Sequence, residues 1–241
     1  MTKKISVIIP MYNERPIIEN TARTLFGYLS GHFEDGCWEL IFSDDGSRDG
    51  SGDAIRALNL PGVRVVGYEK NRGKGCAVRV AMLAAEGDIM MFTDADLAYG
   101  TEVIGRLIDT FNKNPHVDIV IGSRNLSRDG YEGYTFMRRL ASKIYLRLLC
   151  VVGGFRLTDS QCGCKAFRRE AAQKIFSRCK VDGWAFDFEV ILRAGKYGFY
   201  IAEIPVKVLS HRESKVSLIK DAVKMLRDLW RMKREIKREK D

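Results

Sequence analysis

The sequence predicts an α/β fold, in which a mostly parallel sheet is covered by helices on both faces. Short apolar runs of strand-like composition alternate with segments whose apolar residues recur at helical spacing. Several of these runs stop at clusters of acidic residues, and the 241-residue chain is 46% hydrophobic, enough for one large core. The acidic clusters predict a ligand site at the carboxyl edge of the sheet, where open α/β folds bind ligands.

The chain opens as strand, turn and helix. Residues 5–9 form a strand-like run that ends at Pro10 and is followed by the polar turn 11–14. Pro16 suits the first turn of a helix, because an N–H at that position has no helical partner. The helix is predicted from apolar positions at helical spacing, which are Ile17, Ile18, Ala22, Leu25, Tyr28 and Leu29.

The same alternation continues as far as residue 124. An acidic run, 43–50, follows the second strand, and residues 122–124 follow the last one. The predicted strands are 39–42, 63–66, 89–92 and 117–121, and the predicted helices begin at the loop 71–75 and near residue 101. Lys74 lies in that loop but does not complete a phosphate-loop pattern, because Gly75 stands where serine or threonine is required. It is left without a role, either solvated or near a diphosphate at the helix start.

Two carboxylates, Asp94 and Asp96, stand directly after the apolar strand 89–92. Residues two apart in an extended chain point to the same side, so these carboxylates repel unless a cation or donor lies between them. Mg²⁺ or Mn²⁺ bridging to a diphosphate suits such a pair, because these ions prefer carboxylate, phosphate and water oxygens. The alternative is an ordinary solvated turn.

The charge and the cysteines limit the class of protein. The formal net charge of +9 favours an anionic partner. The six cysteines include no zinc-site spacing, no signal peptide is evident, and no apolar run is long enough to cross a membrane. We therefore expect a cytoplasmic protein.

Three strand-end motifs, at residues 10–14, 44–47 and 94–96, together resemble the family 2 inverting glycosyltransferases with the GT-A fold. Residues 159–167 and 184–189 resemble the dolichyl-phosphate glucosyltransferase branch, and the related mannosyltransferases are similar over the first half only. The resemblance covers roughly residues 4–215. It implies a Rossmann-like catalytic domain over 1–215, with a nucleotide-sugar half (about 1–125), an acceptor half (126–215) and a basic helical tail (216–241).

The resemblance assigns the donor site to residues of the three motifs. An aromatic ring can pack on a base, and carboxylates can accept from base N–H groups and ribose hydroxyls. Asp44 or Asp45 would read the base, Asp94 would contact the nucleoside, and Asp94 and Asp96 would hold the metal. The remaining residues implied to frame the nucleotide sugar are Pro10, Tyr12, Glu14 and Ala95. An ordinary turn and helix start is the alternative for Tyr12 and Glu14.

The sequence departs from the mannosyltransferase pattern after the acidic pair. Ala98 stands two residues beyond Asp96, where a third side-chain ligand would be needed, and alanine cannot ligate. Water, backbone or a distant residue such as His211 would have to substitute. The alternative for His211 is a solvated histidine.

The acceptor half carries candidate anion-binding residues. Arg138 and Ser142 lie one turn apart on a predicted helix, and Arg124 ends the preceding strand. They resemble the clamp of the family for lipid phosphate, and arginine supplies paired donors for such a group. The alternative for this helix is a buried element with a basic outer face.

The tail 216–241 is predicted to be a basic amphipathic helix. Its apolar stripe is Ile219, Ala222, Val223, Leu226, Leu229, Trp230 and Ile236, with lysine and arginine elsewhere on the helix. Such a helix can lie on an anionic membrane, or pack on the catalytic domain or on a second subunit. Its acidic residues exclude a nucleic-acid site.

The function that the resemblance implies is hexosyl transfer from a nucleotide sugar to dolichyl or polyprenyl phosphate at the cytoplasmic face of a membrane. UDP-glucose is favoured over GDP-mannose, the cofactor is Mg²⁺ or Mn²⁺, and Asp96, Arg124 and Asp187 are the catalytic candidates. A family 2 enzyme with a sugar-hydroxyl acceptor is the alternative, since Asp187 or Asp159 could serve as its base. A non-catalytic nucleotide-sugar-binding module recruited to membranes is the alternative from another class.

Overall fold

A seven-stranded sheet forms the centre of the protein, in a computed structural model that describes residues 4–127, 146–209 and 218–239. The strands are β1 (Ile5–Met11), β2 (Trp38–Asp45), β3 (Val63–Tyr68), β4 (Ile89–Phe92), β5 (Ile119–Ser123), β6 (Lys165–Arg168) and β7 (Ile201–Pro205). Their order is β3-β2-β1-β4-β6-β5-β7, and β6 alone among these described strands is antiparallel to its neighbours. The predicted mostly parallel α/β sheet is therefore confirmed.

Helices cover the sheet. All seven residues of β1 are buried, and because successive side chains point to opposite faces, both faces of the sheet must be covered there. The helices are α1 (Arg15–His32), α2 (Ser51–Ala57), α3 (Lys74–Ala84), α4 (Glu102–Lys113), α5 (146–153), α6 (Arg169–Phe176), α7 (Phe186–Lys196) and α8 (Leu218–Arg238).

The register of the strands brings the predicted motifs to one edge of the sheet. Met11 at the end of β1 is opposite Asp44 of β2, and Phe92 at the end of β4 is opposite Lys165, the first residue of β6. Since β6 is antiparallel, its amino end lies where its neighbours have their carboxyl ends. The residues that follow β1, β2 and β4 therefore face a shared edge, to which β6 contributes a lysine.

Helix α8 packs on the rest of the chain through an apolar face. Leu229, Met232 and Ile236 are buried and share an apolar cluster with Leu149 of α5 and Phe188 of α7. The described part of α8 thus packs on the rest of the chain, as in one of the three predicted arrangements. In the described ranges, no helix is long and apolar enough to span a membrane.

Trp230 does not belong to the buried face of α8, so its place in the predicted apolar stripe is wrong. Its side chain is 53% exposed, whereas Leu229 is fully buried. One residue turns a helix by roughly 100°, and the buried positions 229, 232 and 236 lie within one narrow face that excludes position 230.

A buried arginine ties α8 to α7. Arg193 is 1% exposed; its Nε and Nη2 donate to Glu189 Oε1 (3.1 and 2.9 Å), and its Nη1 donates to Glu239 Oε2 (2.8 Å). Glu189 also accepts the backbone N–H groups of Lys180 and Val181. A buried charge is tolerated only with such partners, so the end of α8 completes the surroundings of Arg193.

We expect this junction to weaken in acid. The hydrogen bond from Arg193 lowers the pKa of Glu239 from 4.5 to about 2, with Lys180 adding to the effect. Because the folded pKa is below the unfolded one, the stabilisation is complete above about pH 5 and is lost as the pH falls toward 2. When the pH is lowered from 7 to 3, the free energy of unfolding measured with denaturant should therefore fall by more in the wild type than in Glu239→Gln. Glu235→Gln changes an exposed site on the same helix and is the control, which should lose as much unfolding free energy as the wild type. Equal losses in all three proteins would contradict the prediction.

Candidate active site

The loops after β1 and β2 are hydrogen-bonded to each other at the shared edge. Asn13 has a left-handed φ of 54°, its N–H donates to Ser47 Oγ (3.0 Å), and its Oδ1 accepts from the N–H of Arg48 (2.9 Å). This junction leaves Tyr12 45% exposed, directly after Met11, which pairs with Asp44. An exposed ring on a fixed loop is suited to packing against a nucleobase.

Pro10 and Glu14 both make contacts that belong to the fold itself. Pro10 is a buried residue of β1, where it pairs with Ser43 of β2. The N–H of Glu14 donates to Ser51 Oγ (2.9 Å), and its carbonyl accepts from Ile17 and Ile18 to begin α1. Their predicted roles at the nucleotide sugar stay predictions.

The structure separates the adjacent carboxylates of Asp44 and Asp45. Asp45 is 3% exposed and accepts hydrogen bonds from Tyr68 Oη (2.7 Å), Asn71 Nδ2 (2.9 Å) and the N–H groups of Arg72 (2.8 Å) and Gly73 (2.9 Å). Its two oxygens therefore hold the loop before α3. Asp44 is only half-buried and accepts a hydrogen bond from the N–H of Ser47 (2.8 Å), so it is the more accessible of the two predicted base readers.

Asp94 forms an ion pair with Lys74, the first residue of α3. Burial alone would lower the pKa of Lys74, but the carboxylates of Asp94 and Asp187 outweigh it and raise its pKa above the ordinary value. A Cβ at position 163 would lie 2.0 Å from Asp94 Oδ2, so a larger residue than Gly163 would displace this carboxylate. Lys74 is thus a site residue that the sequence left unassigned; its position at a helix start after a strand-end loop was the available signal.

Asp96 follows on a tight turn. Its Oδ1 accepts from the N–H of Ala98 (3.1 Å), and Leu97 between them has a left-handed φ of 49°. Among the described residues, no three His, Cys, Asp or Glu side chains gather where they could share a metal. His211, the predicted substitute ligand, lies outside the described residues, as do Arg138 and Ser142 of the predicted clamp.

Asp187 is buried against a lysine. It lies in the first turn of α7, and Lys165 Nζ donates to its Oδ1 (2.5 Å) and to the carbonyl of Cys162 (2.7 Å). Lys165 is fully buried, and Asp187 is 6% exposed. Burial raises the pKa of Asp187 against the opposing charges of Lys165 and Lys74.

Arg124, which follows β5, forms a bidentate ion pair with Asp159. Arg124 Nε and Nη2 donate to the two carboxylate oxygens of Asp159 (2.6 and 2.9 Å). Asp159 is 3% exposed, and its own N–H is held by Glu203 Oε1 of β7 (3.0 Å). Burial would lower the pKa of Arg124, but the bonds to Asp159 raise it well above the ordinary value, so the guanidinium stays charged. Its role toward an acceptor phosphate stays a prediction.

The chain is similar to known proteins over most of its length. The sequence model described as "Glycosyl transferase family 2" matches residues 6–176. A dolichyl-phosphate beta-glucosyltransferase of Dictyostelium discoideum is 30% identical, over 95% of this chain and 73% of its own. The human protein of that name is 32% identical, over 95% of this chain and 74% of its own.

Solved structures share the fold. Glucosyl-3-phosphoglycerate synthase from Mycobacterium tuberculosis, in complex with Mn²⁺, UDP and glucosyl-3-phosphoglycerate, superposes with a TM-score of 0.70 at 23% identity. The match covers 99% of this chain and 81% of that one. The same enzyme with Mn²⁺, UDP-glucose and glycerol 3-phosphate also gives 0.70 at 23% identity, over 99% and 82% of the two chains. At this identity the likeness shows the fold alone.

Proposed function

The chain belongs to glycosyl transferase family 2, and we propose that it transfers a hexose, with glucose favoured, from a nucleotide sugar to dolichyl phosphate or another polyprenyl phosphate. UDP-glucose is the favoured donor, because the relatives are named as glucosyltransferases. The base and ribose would lie against Tyr12 and Asp44, and the diphosphate near Asp94 and Asp96.

Both candidate bases on the acceptor side are committed to ion pairs, and this observation carries the choice of acceptor. Asp159 is engaged through both oxygens by Arg124, and Asp187 is buried against Lys165. A sugar hydroxyl must lose a proton to a free carboxylate, whereas a lipid phosphate is already an anionic nucleophile. A site that keeps its carboxylates paired and its arginine charged suits the phosphate.

A divalent cation fits the donor side through Asp96. We assign Mg²⁺ or Mn²⁺ to Asp96, a carboxylate that follows β4 on the shared sheet edge, with most other ligands coming from diphosphate and water oxygens. When bound, the cation would neutralise charge on the leaving diphosphate. Lys74 supplies a second positive charge at the same edge, fixed at the start of α3.

A panel of radiolabelled nucleotide sugars tests the function. Each donor is incubated with the full chain and a polyprenyl phosphate in detergent, and label in the organic phase is counted. We expect product with UDP-glucose above GDP-mannose. Label transferred only to an oligosaccharide acceptor would establish the hydroxyl alternative, and donor binding without transfer to either acceptor would establish the non-catalytic alternative.

We infer that the chain reaches its lipid substrate through the exposed side of α8. Trp230 lies there with Arg234 over its ring (4.5 Å from Cζ to the centroid). Lys233 Nζ donates to the carbonyl of Val152 (2.9 Å), so α5 lies beside α8. Val151 of α5 is also exposed. Basic residues with an interfacial tryptophan suit an anionic membrane surface.

Neutralising this surface should release the protein from anionic vesicles. We expect the triple variant Arg227→Gln, Arg234→Gln and Lys237→Gln to bind phosphatidylserine vesicles roughly a hundredfold more weakly, since each cation near such a surface contributes about 1 kcal/mol. Vesicle flotation measures this, with Tyr200→Ala as an exposed control on another element. Deleting α8 is a poor test, because it would expose Leu149 and Phe188 of the core. Undiminished flotation of the triple variant would contradict the assignment.

A further inference from the structure

A large aromatic side chain stands exposed beside the donor carboxylates. Trp184 is 69% exposed on the loop that leads into α7. Lys74 Nζ lies 5.4 Å from the centroid of its ring, and the same Nζ is paired with Asp94. Lys74 therefore connects the indole with the strand-end carboxylates, which places the ring at the mouth of the donor site.

The loop that carries Trp184 is held firmly against the start of α3. Arg72 Nη2 and Arg79 Nη2 donate to the two carboxylate oxygens of Asp182 (2.9 and 2.5 Å), and the N–H of Cys76 donates to its carbonyl (3.2 Å). A Cβ at Gly73 would lie 2.6 Å from that carbonyl, so the two loops approach as closely as glycine allows. The ring is thus displayed on a braced loop.

Core packing does not account for Trp184. It is absent from both apolar clusters of the described residues, whereas the neighbouring Phe186 is buried in the main one. Exposing an indole leaves a large apolar surface in water, and a rigid exposed ring beside a site is suited to burying that surface against a ligand.

We propose that Trp184 is the platform on which the hexose ring of the nucleotide sugar packs. A glucopyranose with equatorial hydroxyls presents C–H groups on its faces, and such a face can cover an indole without desolvating a hydroxyl. The nucleobase is assigned to Tyr12 and Asp44, after β1 and β2, whereas Trp184 adjoins Asp94 after β4. This inference rests on the proposed function and adds the residue that recognises the sugar.

The test compares UDP-glucose with UDP, which lacks the hexose. In titration calorimetry with Mn²⁺ present, we expect Trp184→Ala to bind UDP-glucose about tenfold more weakly than the wild type does. A loss of affinity of about tenfold is the usual effect of removing an aromatic packing contact. The affinity for UDP should not change. Trp184→Phe keeps a ring and should recover most of the affinity.

Matched controls separate the possible outcomes. Tyr200→Ala removes another exposed ring (67%) and should change neither affinity, and thermal unfolding should show that all variants are folded. Equal weakening of UDP and UDP-glucose by Trp184→Ala would leave the ratio of the two affinities unchanged, which would place the indole on the nucleotide and overturn the inference. Unchanged affinity for both ligands would overturn it too. If the wild type makes lipid-linked glucose but Trp184→Ala leaves the ratio of the affinities for UDP and UDP-glucose unchanged, this inference alone is overturned. Failure of the wild type with every nucleotide sugar would overturn the proposed function as well.

Discussion

Asp96→Ala is expected to reduce hexosyl transfer about a thousandfold while the protein stays folded. Asp96 is the strand-end carboxylate that we assign to the divalent cation. Loss of the cation leaves the charge on the departing diphosphate unbalanced, which costs several kcal/mol, and each 1.36 kcal/mol is a factor of about ten in rate. Initial rates with UDP-glucose and polyprenyl phosphate measure the effect.

Asp109→Ala is the matched control for this variant, because it removes an exposed carboxylate of α4. It should keep wild-type rates and the wild-type unfolding midpoint. Excess chelator should lower the wild-type rate as strongly as Asp96→Ala does. Full turnover by Asp96→Ala, or full activity of the wild type in chelator, would remove the metal role.

Asp187→Ala is expected to lower the free energy of unfolding by about 3–5 kcal/mol, the usual cost of removing one partner of a buried ion pair. Lys165, which is fully buried, would keep only the carbonyl of Cys162 as a hydrogen-bond acceptor. Denaturant unfolding measures the loss. Asp53→Ala removes the partner of Arg56 in an exposed pair and should cost about 1 kcal/mol or less.

The variant Asp187→Asn separates a structural role of this residue from a catalytic one. Asparagine still offers an oxygen to Lys165, so the variant should fold, and it cannot accept a proton. With a phosphate acceptor, kcat/KM of the folded variant should keep the wild-type dependence on pH. Loss of the acid limb of the pH profile in Asp187→Asn would make Asp187 the general base and favour the hydroxyl acceptor.

Local periodicity was sufficient for most of the nucleotide-sugar half, although the short helix α2 was not predicted. The strands and helices up to residue 124 alternate with short connections. Strands β1, β2 and β3 pair in parallel with their neighbours in sequence, and β4 pairs in parallel with β1. The acidic motifs were placed correctly at the strand ends, because the ends of parallel strands share an edge whatever the details of packing. Strands β6 and β7 were not predicted: β6 is four residues long with a charge at each end, and β7 carries Glu203 at its centre.

The sequence by itself determined that the chain is an α/β protein, that its acidic residues gather at one sheet edge, and that its last helix has one apolar face. Only the tertiary structure decided the partners of the charged residues: Lys74 with Asp94, Lys165 with Asp187, and Arg193 with Glu239. It also decided that α8 buries Leu229 against the domain and exposes Trp230. The physical reason is the sequence separation of the interacting residues. Strand and helix periods depend on neighbours in sequence, whereas a buried charge pairs with an opposite charge that the fold brings within hydrogen-bonding distance.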